Sequence, residues 1–261
     1  SGGYCGGGGG GGSGYANGTN VSMEANVNVG AGQVTIQADA PTTADWDEGR
    51  GEIRLKGDYT ADTSLAGVWM MEEASGSRAD ATGRTPAAGY TLTDANASVT
   101  SSADHRQADK SAVFNGTNSV LLITPATLDS SSSTLRITGA DQPLTVSAWV
   151  KPTATGNQGI VTLSKTGSQH WLLKLDAANK PIVSLSPDGT AANQAVGATA
   201  LAANAWSHVM GVYNDTDLRV YVNGVLDSSA TNPLPYTLGI FPWASDPSKP
   251  NFAIGYTGET G

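Results

Sequence analysis

The residues able to do chemistry are few, and their spacing is poor for catalysis. The chain has six glutamates, Glu24, Glu48, Glu52, Glu72, Glu73 and Glu259. Hydrolysis of a glycosidic bond needs two carboxylates facing one substrate. Glu72 and Glu73 are adjacent, so on a strand they point to opposite faces. The three histidines, His105, His170 and His208, show no metal-ligand spacing. No nucleophile elbow is present, and the N-terminal glycine run lacks the Lys-Ser/Thr of a phosphate loop. The pattern argues for a protein that binds or builds rather than an enzyme.

Two stretches have binding character. The loop "NPLPYTLGIFPWASDPSKPN" (232–251) combines five prolines with Tyr236, Phe241 and Trp243. Prolines reduce the entropy lost when a loop orders, and exposed aromatics mark contact surfaces. The three aromatics read either as a sugar or subunit contact, or as a cap folded onto the end of a sandwich. The second stretch is "SGGYCGGGGGGGSGY", with ten glycines in its first fourteen residues and the chain's single cysteine. Extended polyglycine has no side chains and no internal hydrogen bonds, so neighbouring strands must satisfy its backbone when it is ordered. The expectation is an assembly contact around Gly8, anchored by Tyr4 and Tyr15, with Cys5 close enough to crosslink. One cysteine forms no internal disulfide.

Composition sets the elements that must position these residues. The 261-residue chain carries a formal charge of −9, only 14% charged residues and 33 glycines. With 14 Lys and Arg and no basic cluster, it lacks the positive footprint of a nucleic-acid binder. No run of 18 apolar residues is present, the length a membrane-spanning helix needs. The chain begins at Ser1 with no leader sequence, as expected of a processed protein or a piece of a longer one. Five Asn-x-Ser/Thr sequons, at Asn17, Asn20, Asn96, Asn115 and Asn214, are about what so Asn/Thr-rich a chain contains by chance.

Val21, Met23, Ala25, Val27 and Val29 alternate with polar residues, and after Gly-Ala-Gly the pattern resumes at Val34, Ile36 and Ala38. This reads as a hairpin with one apolar face, and "GEIRLKG" (51–57) adds a third short strand. From "LAGVWMM" (65–71) onward, strand patterns recur about every ten residues between Gly, Asn, Asp, Ser and Pro turns. Asn223-Gly224 between apolar runs is a strong hairpin signal. No convincing helix is present. Trp69, Trp149, Trp171 and Trp206 fall inside strand patterns and read as core. The fold expected is all-β, an antiparallel two-sheet jelly-roll sandwich. A glycine-rich assembly segment (1–14) and a small β-strand adaptor (15–61) precede it, and the sandwich occupies 62–261.

Over residues 63–256 the chain resembles the laminin G-like, concanavalin A-like jelly roll. "SAWVKP" (147–152), Trp206-Ser-His208-Val and "RVYVNG" (219–224) carry the resemblance, with "GVWMMEEASGSRADATG" (67–83) and "SAVFNGTNSVLLI" (111–123) upstream. His208 reads as a hydrogen-bonded structural residue. Glycan hydrolases of this fold use Glu-x-Asp-x-x-Glu, and no glutamate here has Asp two residues on. The resemblance implies a rim site for Ca²⁺, with Glu73, Asp80 and Asn115 as candidate ligands and Asp104 and Asp109 nearby. Read as ordinary turn residues, the same side chains bond their own backbone. The family's acidic last strand after "IGY" is missing, lies elsewhere, or comes from another chain.

The resulting expectation is a non-enzymatic, adhesive surface protein outside the cell or on a virion, displaying a lectin-like domain. It would be a homo-oligomer or a subunit of a larger assembly such as a phage fibre, a capsid decoration or a cell-surface filament. It would meet surface glycans, with no nucleic acid and no membrane insertion. The alternative is a carbohydrate-binding module of a larger secreted enzyme.

Overall fold

The computed structural model describes the backbone of four N-terminal strands and then residues 65–82, 90–106, 110–129, 135–136, 143–190, 192–214, 217–231 and 240–256. The chain divides into two compact units, Ser1–Asp62 and Thr63–Gly261. In the first unit β1 (Val21–Asn26) pairs antiparallel with β2 (Gln33–Ala38), as the alternation predicts. There β3 (Thr43–Asp47) pairs with β4 (Glu52–Lys56). Alternation predicts β4 but not its partner, because "TADWD" has too few apolar residues to alternate.

The second unit begins with the short strands β5 (Thr93–Asp94), β6 (Thr100–Ser102), β7 (Ser111–Val113) and β8 (Leu121–Ile123). A single-turn helix α1 (Pro125–Leu128) opens on proline, which suits a first helical position. The longer strands follow: β9 (Leu144–Val150), β10 (Gln158–Lys165), β11 (Ser168–Leu175), β12 (Pro181–Leu185) and β13 (Asn193–Val196). The last are β14 (Ser207–Tyr213), β15 (Asp217–Val222), β16 (Val225–Thr231) and β17 (Phe252–Ile254).

Two antiparallel sheets result. One has the order β13-β12-β11-β10-β17-β8-β5, the other β16-β15-β14-β9, and β6 pairs with β7 and bridges Ser75 through Thr100. Their facing residues make the core, including Leu163, Trp171, Leu173, Val183, Leu185, Val209, Tyr213, Leu218, Val220 and Phe252. Each fully buried Leu, such as Leu163 and Leu173 at 0% exposure, contributes roughly 2 kcal/mol of burial. Trp69, Phe252 and Trp171 form an aromatic row, with centroids 5.2 Å and 5.9 Å apart. The sheets approach closely at Gly211, where an added Cβ would stand 2.7 Å from Val183 Cγ2. Asn223 and Gly224 take φ of +50° and +80°, the doubly left-handed turn that matches hairpin twist.

Two expectations fail here. Leu65–Met71 is not a strand; it runs irregularly and half-buried along the core. Its backbone bonds in a turn instead: Val68 O accepts from Ala81 N, and Val68 N donates to Asp80 Oδ1. Trp149 and Trp206 are not core residues. Trp149 pairs with His208 on the face of the four-stranded sheet turned away from Val209 and Tyr213, and both tryptophans are half-buried.

Candidate functional site

The alternation of β14 sorts its residues. Ser207, Val209, Gly211 and Tyr213 are buried against the other sheet, while His208, Met210 and Val212 face outward. Register then places Trp149 and Ser147 of β9 beside His208 and Met210, with Tyr221 and Arg219 of β15 on the other side. The outer face therefore carries a row of half-buried rings and long side chains. The Trp149 and His208 rings pack with centroids 5.3 Å apart.

The loop after β6 lies against one end of this face. Asp104 Oδ1 accepts from Trp206 Nε1 at 2.8 Å, and Oδ2 pairs with Lys151 Nζ. The bonds to Lys151 and Trp206 hold the Asp104 carboxyl below the usual carboxylate range. The same loop places the Arg106 guanidinium 5.1 Å from the centre of the Trp149 ring, a cation–π contact. Burial pushes the His208 pKa down. His208 is tied in through its backbone, its N–H donating to Asn223 Oδ1 at 2.9 Å, while its ring packs on Trp149. A hydrogen-bonded ring was the sequence expectation; ring packing on Trp149 is what the fold provides. The cluster thus assembles an indole face, two cationic side chains and one carboxylate at an accessible surface. Sequence reasoning missed it because Asp104 and Arg106 are far in sequence from the tryptophans they meet.

The other sequence-derived candidates lie apart from it. Asp80 Oδ1 accepts from the N–H groups of Val68 and Thr82 at 3.0 and 2.9 Å. Its Oδ2 accepts from Thr82 Oγ1 at 2.7 Å and Tyr90 N at 3.4 Å. Four donors use up the carboxylate's acceptor capacity, so Asp80 is a structural knot. Asn115 Oδ1 accepts from the N–H groups of Thr117, Asn118 and Ser119 at 2.9–3.0 Å. Glu73 Oε1 accepts from Ala79 N at 2.7 Å, and Oε2 lies 3.7 Å from Arg78 Nε. These oxygens are engaged with the local backbone and Arg78, the behaviour of ordinary turn residues. Among the described residues no group of three His, Cys, Asp or Glu side chains could hold a metal.

Trp243 is 3% exposed and Phe241 half-buried. Trp243 Nε1 donates to Asp129 Oδ1 at 2.7 Å, and Lys249 Nζ reaches the same oxygen at 2.7 Å. His170 packs between Phe241 and Trp243, with centroids 5.3 and 5.4 Å away. For Trp243 this is the capping arrangement, and a buried ring offers no platform. Ser168 Oγ and His170 Nε2 both bond Asp246 Oδ2, so Ser168 donates to the carboxylate rather than to the imidazole. A hydroxyl engaged that way is not an activated nucleophile. Tyr4, Cys5, Gly8, Tyr15, Asp109 and Tyr236 lie outside the described residues.

The sialidase of Trypanosoma rangeli, solved with 2,3-difluoro-KDN, is similar in structure over 80% of this chain and 28% of its own, at 13% identity and a TM-score of 0.48. Domain 4 of AbnA, a GH43 extracellular arabinanase from Geobacillus stearothermophilus solved with arabinotriose, is similar over 70% of this chain and 84% of its own. There the identity is 17% and the TM-score 0.39. The binding domain of botulinum neurotoxin serotype C1 covers 71% of this chain and 50% of its own, at 12% identity and a TM-score of 0.36. Thus the chain spans about a quarter of the sialidase and half of the toxin domain. No curated protein matches it in sequence. The profile of the concanavalin A-like lectin/glucanase superfamily, in its laminin G-like form, matches residues 115–257, more than half of the sequence. By that match, and with the two-sheet antiparallel sandwich, the chain belongs to the concanavalin A-like lectin/glucanase superfamily.

Proposed function

We propose that the chain is a non-enzymatic, lectin-like surface protein, a subunit of an extracellular or virion assembly that holds glycans on the outer face of its four-stranded sheet. The observation that carries this reading is the half-buried Trp149 ring with Arg106 at 5.1 Å beside the Asp104–Lys151–Trp206 cluster. The guanidinium over the indole, with the ring edge left beside it, offers hydrogen-bonding and apolar groups to a sugar ring. In support of the non-enzymatic reading, Glu73 is engaged with Ala79 and Arg78. No helix among the described residues is long and apolar enough to cross a membrane.

The test is a glycan array with the intact chain, followed by calorimetry on the best hits. Arg106→Ala should weaken the best ligand by about tenfold. Binding unaffected by both Arg106→Ala and Trp149→Phe would remove this face from the account. A monomer that binds polysaccharide would favour the alternative, a carbohydrate-binding module of a larger secreted enzyme.

A further inference from the structure

The outer face of the four-stranded sheet carries a second cluster with the same composition as the first. On β15, Asp217, Arg219 and Tyr221 alternate with the buried Leu218, Val220 and Val222, so all three point away from the core. Arg219 Nη2 donates to Asp217 Oδ2 at 2.8 Å, and the guanidinium also hydrogen-bonds the Tyr221 side chain. A ring, a guanidinium and a carboxylate thus recur here, as Trp149, Arg106 and Asp104 do in the first cluster. A guanidinium has five N–H donors, so these two partners leave Arg219 with donors to spare, and its side chain is 38% exposed. Leu226 of β16 pairs with Tyr221 and is 52% exposed, which sets an apolar side chain beside the phenol ring.

Strand register fixes how far apart the two clusters stand. Trp149 lies opposite His208 on one side of β14, and Tyr221 lies opposite Met210 on the other. The two rings are therefore two strands apart and two residues apart along the strands, a diagonal of about 12 Å between Cα atoms. On β14, His208 and Met210 stand between them, and an unbranched Met side chain adapts to what lies on it. One sugar ring does not reach both clusters, whereas a chain of rings does.

We propose that this face holds a linear oligosaccharide of three or more rings, rather than a single terminal sugar. One ring lies against Trp149 and Arg106, and another against Tyr221 and Arg219. The inference rests on the glycan reading of the Trp149 cluster, and it adds the length of the ligand and a second subsite. It applies equally to an assembly subunit and to a module of a larger enzyme. A sheet face surrounds one ring less completely than a pocket does, so a single contact binds weakly. A ring tethered to one already bound meets its subsite at high effective concentration and escapes most of the cost of a second association.

The experiment titrates the full chain with cello-, xylo-, manno- and chito-oligosaccharides of one to six rings. In a series that binds, affinity should rise at least tenfold between one ring and the length that reaches both clusters, then level off. Tyr221→Leu and Arg219→Gln should each remove most of that rise, weakening the six-ring oligomer about five- to tenfold and leaving the one-ring affinity within about twofold. Tyr221→Phe keeps the ring and should keep most of the rise, which preserves the test if the leucine variant folds poorly. Affinity that is flat with length overturns the two-cluster site and leaves the Trp149 reading standing. So does a rise indifferent to both Tyr221→Leu and Arg219→Gln, or a loss that is equal for one ring and for six. Binding to none of the four series overturns this inference, and the glycan reading falls with it when the glycan array is blank as well.

Discussion

Asp246 takes a hydrogen bond from His170 Nε2 across 2.9 Å, with both side chains at most 1% exposed. They join β11 to the loop before β17, and the second imidazole nitrogen lies 3.0 Å from the Phe241 carbonyl oxygen. Burial opposes ionisation of Asp246, but bonds from Ser168, His170 and the N–H groups of Ser248 and Lys249 hold its carboxyl below the usual range. Burial also pushes the His170 pKa down, against the pull of Asp246.

Stability should therefore fall in mild acid. His170 and His208 both have folded-state pKa values below the usual value near 6.5. Under that pH the unfolded chain takes up protons the folded chain resists. The histidine contribution is complete above about pH 6.5 and is lost as pH falls through it toward the folded values, each group adding at most about 1.4 kcal/mol per pH unit. The Asp246 contribution has the same sign lower down: present above about pH 3.9, lost below it. Thermal melts from pH 7.5 to 4.5 should show Tm dropping below pH 6.5. His208→Gln should flatten that slope; an unchanged slope in both His208→Gln and His170→Gln would contradict the assignment.

Much of this sandwich was legible because its signals are local. Period-two alternation marks β14, and Asn223-Gly224 marks the turn between β15 and β16 with no help from the rest of the chain. Leu65–Met71 has the same apolar pattern as a strand, yet strand formation needs a partner edge, and no window of sequence reports whether one is near. The candidate site failed to show for the same reason. Asp104 and Trp206 are 102 residues apart, and what joins them is the packing of the 103–106 loop on the sheet end. Alternation also says which residues share a face, not which face looks at the core; Trp149 alternates properly and points the other way.

Asp80 should matter for folding and calcium should not. Replacing Asp80 with Ala would leave the N–H groups of Val68, Thr82 and Tyr90 without their acceptor, two of them with partners buried in this turn. Charge-assisted bonds are worth roughly 1.5–3 kcal/mol and a buried unmade donor costs a similar amount. Denaturant unfolding should show Asp80→Ala losing about 2–4 kcal/mol. Melting the wild type in EDTA and in millimolar CaCl₂ should give one Tm; a rise with calcium would reinstate the rim site.

Gly211 should tolerate no side chain. It sits in β14 between the sheets, where a Cβ would lie 2.7 Å from Val183 Cγ2 and 3.5 Å from Leu173 Cδ1. Val183 is β-branched and 2% exposed, so it has no free rotamer to move into. Overpacking of this kind costs about 1–3 kcal/mol. Gly211→Ala should therefore lower the denaturant midpoint without changing the m-value, and Gly211→Val should lower it further.

Asp104 should control the binding face more than the stability of the fold. Its carboxylate is exposed and bonds Lys151 and Trp206 at the surface, where ion pairs are worth at most about 1 kcal/mol. Asp104→Ala should thus leave the unfolding midpoint nearly unchanged. It should nevertheless free the 103–106 loop, and with it the Arg106 guanidinium stacked on Trp149. Asp104→Asn is the informative companion. Its amide oxygen can still accept from Trp206 Nε1, while the ion pair to Lys151 is gone. If the indole bond holds the loop, Asn should keep glycan affinity within about threefold of wild type and Ala should lose about tenfold. If the Lys151 pair holds it, the two variants should lose affinity equally. Tryptophan emission gives a second readout, because Trp206 loses its hydrogen bond in Asp104→Ala and keeps it in Asp104→Asn.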